Sequence, residues 1–198
     1  MKKGLLVFAS LALASCIAVE DPGVYWDKAG VDAELVGKWK PLTLQEDEVK
    51  VDEVRIIDKS KDIVVEEYMG GKKVDDSKSN VDNQQSPLRT LQVGPHRFIL
   101  EKSTKDPSMV MFRYTISQNK LTVYNDIPET IQVFLKKNFP QAKDIVVKSY
   151  GESLNEGDES GEKYTQIIHF TDDVFRILSQ IPEDESYWKE SSRYERIP

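Results

Sequence analysis

Cysteine, histidine and long apolar runs are what this chain has least of. Its 198 residues include one cysteine, Cys16, and two histidines, His96 and His169. A lone cysteine has no partner for an internal disulfide and cannot build a thiolate metal site. Each histidine sits at the end of a predicted strand, where a half-exposed, hydrogen-bonded imidazole is expected. The chain has no G-x-S-x-G, no Gly-rich phosphate loop and no H-E-x-x-H. An enzyme built from it would have to work with carboxylates alone, and these are scattered over polar faces. The expectation is therefore a non-catalytic protein with no cofactor and no metal. Acids outnumber bases, 34 to 27, which argues against nucleic acid as a partner and against a surface that lies flat on anionic lipid. The acidic stretch Gly151 to Glu162 lacks the D-x-[DN]-x-[DN]-G spacing of a calcium loop and reads as a solvated loop.

The amino terminus is more informative. Lys2 and Lys3 precede an apolar core from Leu5 to Leu13, and polarity returns at Glu20, Asp21 and Pro22. That is the pattern of a secretory signal peptide, too short for a membrane span, which needs roughly 20 apolar residues. Leu13-Ala14-Ser15-Cys16 resembles the lipobox of bacterial lipoproteins. The resemblance implies cleavage after Ser15, a diacylglyceryl group on the thiol of Cys16, and acylation by a palmitate-type fatty acid. Each buried methylene adds about 0.8 kcal/mol of membrane affinity, so two or more chains hold stably. Residue 17 is Ile rather than the aspartate associated with inner-membrane retention, so the same resemblance favours the outer membrane of a bacterial envelope.

The expected organisation is a signal peptide at residues 1–15, a lipidated spacer at 16–34 and one domain at 35–198. The spacer is polar and broken by Pro22, Gly23 and Gly30. Within it, Val24-Tyr25-Trp26 either sits at the membrane interface or packs on the domain, and packing is preferred.

Strand signals then repeat along the chain. Leu35 to Leu44, Val54 to Asp58, Ile63 to Met69, Leu88 to Val93, Arg97 to Lys102, Met109 to Ile116, Leu121 to Tyr124, Ile145 to Tyr150 and Tyr164 to Phe170 are short runs rich in β-branched or aromatic residues. In "SMVMFRYTI", Val110, Phe112, Tyr114 and Ile116 share one face while Arg113 and Thr115 share the other. "SQNK" turns this strand into "LTVYND", a hairpin. Alternation alone does not say which face is inside; solvent is the expectation for Arg113 and Lys120. Helices are predicted from Pro128 to Phe139, stopped by Pro140, and from Thr171 to Ile181, with Thr171 as N-cap. Gly70 to Pro87 is a polar loop.

Leu35-Val36-Gly37-Lys38-Trp39 resembles the G-x-W start of lipocalin-like proteins. The hairpin "FRYTISQNKLTVYND" and the closing "SSRYERI" are similar to those of lipocalin-like bacterial lipoproteins. The second lipocalin signature, T-D-Y, is absent, and a helix interrupts the strands. The resemblance implies a mainly β protein, an antiparallel calycin barrel of about eight strands with two short flanking helices. It also implies that Trp39 packs at the closed end beneath Arg193 or Arg196. Val110, Phe112, Tyr114, Leu121 and Val123 then either line a ligand cavity or fill the core. The function implied is binding of a small apolar or amphiphilic ligand by a protein tied to the membrane through lipid on Cys16. The alternative is a protein-interaction lipoprotein, an envelope-assembly accessory or enzyme inhibitor with a protein partner.

Overall fold

The computed structural model describes residues 17–20, 23–42, 51–74, 87–102, 108–126, 128–139, 148–149, 166–167 and 178–198. The elements in chain order are β1 (Ile17–Glu20), α1 (Gly23–Lys28), β2 (Gly37–Pro41), β3 (Glu53–Lys59), β4 (Asp62–Met69), β5 (Lys72–Lys73), β6 (Leu88–Val93), β7 (His96–Lys102), β8 (Ser108–Ser117), β9 (Lys120–Asp126), α2 (Pro128–Asn138), β10 (Lys148–Ser149), β11 (Gln166–Ile167) and β12 (Trp188–Ile197). Eight of these form a closed antiparallel barrel: β2, β3, β4, β6, β7, β8, β9 and β12 pair in that order, and β12 returns to β2. The expected architecture, a mainly β barrel with two short helices, is the observed one. No described helix is long and apolar enough to cross a membrane.

Period-two alternation explains the strands. In β3 and β4, Val54, Ile56, Ile63 and Val65 are buried and their neighbours less so, as a sheet with one covered face requires. In β8 every residue from Met109 to Tyr114 except Val110 is buried, because both faces are covered. Phe112 and Tyr114 join the interior cluster with Trp39, Val54, Ile99, Leu121, Val123 and Tyr194. Met109 and Met111 face outward into a second cluster with Tyr25, Trp26, Phe98, Leu100, Ile131, Leu178, Ile181 and Trp188. The barrel therefore has a filled interior and an apolar patch on its outer wall, covered by α1, α2 and the segment Leu178 to Tyr187.

Strand direction puts the tight turns at one end: residues 60–61, 94–95 and 118–119. Gln118 and Asn119 both have φ above zero (51° and 62°), as a two-residue hairpin turn demands. The connections 42–52, 70–87, 103–107 and 127–187 all leave from the other end. The seam between β4 and β6 is the loosest, joined by the single pair Ile63 and Leu88. Gly30 supplements it by pairing its backbone with Thr90 of β6 in both directions, at 2.9 and 2.6 Å. Arg89 braces the same seam, donating to Asp62 at 2.7 Å and to the carbonyl of Trp26 at 2.8 Å while lying over the Trp26 ring.

The stretch expected as a spacer is, in its described part, laid on the barrel. β1 pairs with the first half of β8, opposite Ser108 to Met111, and Tyr25, Trp26 and Ala29 are buried. The predicted helix at 128–139 is α2. Of the helix expected at 171–181, residues 171–177 lie outside the described residues. So do Cys16, His169, the stretch 151–162, residues 75–86 of the polar loop, and most of the strands expected at 145–150 and 164–170.

Candidate functional site

The tight-turn end is sealed by Trp39. Its side chain is fully buried, its indole Nε1 donates to the carbonyl of Leu35 at 2.9 Å, and the Arg196 guanidinium lies 4.4 Å from its ring centroid. Arg196 also donates through Nη1 to the Val36 carbonyl at 3.0 Å and through Nη2 to the Glu34 carbonyl. Gly37 is required beneath it. Its φ is +150°, and a Cβ there would lie 2.7 Å from Arg196 Nη1. Of the two arginines expected over Trp39, Arg196 takes the place. Arg193 points to the exterior and pairs with Glu190.

Above this floor, Phe112, Tyr114, Leu121 and Val123 are between 0 and 4% exposed. With almost no surface left on any of the four, the barrel at this level is filled by its own side chains. Val110, nearer the long connections, is partly exposed.

A cavity of about 420 Å³ opens beside Tyr114, between the segment Gly30 to Glu34 and β6, β7 and β8. Registration aligns its inner wall: Gln92 pairs with Arg97, and Arg97 with Tyr114, so the three side chains share one face. Tyr114 donates its phenol hydrogen to Asp32 Oδ2 at 2.7 Å, and Arg97 Nη1 donates to the same oxygen at 3.3 Å and to Glu34 at 2.5 Å. Asp32 Oδ1 accepts from the backbone N–H of Glu34, and Thr90 Oγ1 donates to the Gly30 carbonyl. Burial, reinforced by the hydrogen bond to Asp32, holds the Tyr114 phenol far above its ordinary range, so it remains a donor. The Glu34 carboxylate raises the Arg97 guanidinium in the same sense. Val31 and Ala33 supply the apolar part of the lining. The cavity thus presents fixed donors and acceptors, with both Asp32 oxygens already engaged.

Of the residues expected to form a cavity, only Tyr114 lines this one. Asp32, Thr90, Gln92 and Arg97 were not anticipated. They come from β6, β7 and the supposed spacer, so no spacing motif links them. The one available clue was the Gly94-Pro95 turn, which sets Gln92 and Arg97 opposite each other.

Two expectations are corrected on the outer wall. Arg113, expected in solvent, is 4% exposed, and His96, expected half-exposed, is 1% exposed. Both lie beneath the segment Leu178 to Tyr187, which alternation within β8 cannot reveal. Arg113 Nη2 donates to Glu183 at 3.1 Å, and its guanidinium lies over the rings of Tyr124 and Trp188. Lys120 is exposed, as expected.

Compared with protein-family models, with curated proteins and with solved structures, the chain matches none.

Proposed function

We propose that this protein is a lipid-anchored, non-catalytic binding protein of the bacterial envelope, held through Cys16 at the outer membrane, and that it takes a small amphiphilic ligand. The observation that carries the ligand is the cavity beside Tyr114. Its volume, about 420 Å³, falls in the range of small-molecule sites, and it sets a few fixed polar groups against apolar lining. The lipocalin-like resemblance of the Gly37-x-Trp39 strand points the same way, as does the amino-terminal sequence for the anchor. The filled interior directs the ligand to this cavity rather than to the barrel axis. Among the described residues, the large exposed apolar side chains are Leu42, Met69 and Val133.

The test uses Ala33→Trp, which places a large side chain into the cavity from an exposed position of its lining. In titrations with a fluorescent fatty-acid analogue, the unmodified protein should bind with a dissociation constant on the order of micromolar. Ala33→Trp should weaken that binding about tenfold or more, with an unchanged unfolding transition. If the unmodified protein binds no analogue at about 100 times that concentration, and native mass spectrometry finds no co-purified adduct, the ligand-carrier function is wrong. The protein-interaction function then takes its place.

A further inference from the structure

His96, at the start of β7, touches two other parts of the chain. Its Nε2 lies 2.7 Å from the carbonyl of Ile181, which can only accept, so this nitrogen carries the hydrogen. Nδ1 is then the bare nitrogen, and it accepts from Nε of Arg113 at 3.2 Å. Both ring nitrogens are thus committed in the neutral form. The segment that supplies Ile181 is pinned at further points. Glu183 pairs with Arg113, and the Pro182 carbonyl accepts from the Trp188 indole at 2.9 Å. Ser179 sits so close to Gly94 that a Cβ on that glycine would lie 2.7 Å from it. Leu178 and Ile181 cover the outer apolar cluster beside Phe98 and Trp188.

We infer that His96 is a proton-operated clasp that holds Leu178 to Tyr187 over the outer apolar wall of the barrel and releases it on acidification. A proton added at Nδ1 would point at the Nε–H of Arg113, so the hydrogen bond is lost and imidazolium faces guanidinium in a site where both are buried. Among the described residues, the charged or titratable groups around His96 are Arg113 of β8, Glu183 of the covering segment and Tyr124 of β9. Glu183 is more than half exposed and already serves Arg113, so it offsets little of the added charge. Burial, followed by the Arg113 charge, keeps His96 below its ordinary range in the closed form, against the pull of the Ile181 carbonyl and Glu183. The closed form therefore binds the proton less well than the open form. Closure is therefore complete above about pH 6.5 and weakens as pH falls below it, about tenfold per unit until the closed-form histidine titrates. Release uncovers Phe98, Leu178, Ile181 and Trp188, an apolar face absent at neutral pH. This inference is independent of the ligand cavity.

Amide hydrogen exchange on the full domain at pH 7.5 and pH 5.0, corrected for intrinsic rates, tests it. Residues 178–188 should open about tenfold or more readily at pH 5.0, while β3 and β4 keep their protection. His96→Gln retains a donor for Ile181 and an acceptor for Arg113 but cannot titrate, so its covering segment should stay protected at both pH values. Unchanged protection in the unmodified protein, or an equal loss in His96→Gln, overturns the clasp. Should His96→Gln not fold, the imidazole resonance of His96, separated from His169 by His169→Gln, supplies the decision. Its titration midpoint must coincide with that of segment opening, and a mismatch overturns the inference.

Discussion

Trp39→Ala is expected to lower the stability of the domain by about 3–5 kcal/mol, the usual cost of truncating a fully buried large aromatic. Three losses combine. The indole leaves a void at the sealed end of the barrel, where it is fully buried. The Leu35 carbonyl loses its donor, and Arg196 loses the ring on which it lies. Trp39→Phe separates these contributions, because a ring remains for Arg196 while the indole donor is gone. It should cost clearly less: both variants lose the indole hydrogen bond, worth about 1 kcal/mol net, so the difference between them reflects the void and the ring beneath Arg196. Urea unfolding of the two variants beside the unmodified domain gives the ranking. A Trp39→Ala midpoint equal to the original would show that the Gly37-Trp39-Arg196 arrangement does not hold the barrel end.

Cys16→Ala is expected to abolish lipid attachment altogether, since the thiol is the only acceptor the proposed chemistry can use. The protein should then accumulate at the size of its precursor and take up no labelled fatty acid. The effect is all or none. Fatty-acid label persisting on Cys16→Ala would rule out the lipoprotein reading. β1 begins at Ile17, one residue past Cys16, and pairs with β8. The proposed anchor therefore joins the barrel with almost no free tether.

Much of the barrel was legible because its signals are local. The hairpin of β8 and β9 shows itself by alternation on both sides of "SQNK", and the structure turns at Gln118 and Asn119. The strands from Val54 to Asp58 and Ile63 to Met69 appear within a residue or two of where their β-branched runs place them. β1 and α1 were missed for opposite reasons. "IAVE" follows an apolar run too closely to stand out as a strand, and "GVYWDK" is too short for a helical period to show.

The sequence by itself determined the elements that depend on near neighbours. These include strand length and alternation, the hairpin turns, and a glycine two residues before a tryptophan at the start of the first barrel strand. Tertiary structure decided what depends on which distant segment covers a face. Phe112 and Arg113 are adjacent in sequence and both buried, one inside the barrel and the other beneath Leu178 to Tyr187. The cavity likewise exists only because Gly30 to Glu34 crosses the end where Gln92, Arg97 and Tyr114 line up. Alternation states that two faces differ, but burial follows from what packs on each face, and the covering segments here lie tens of residues away in sequence.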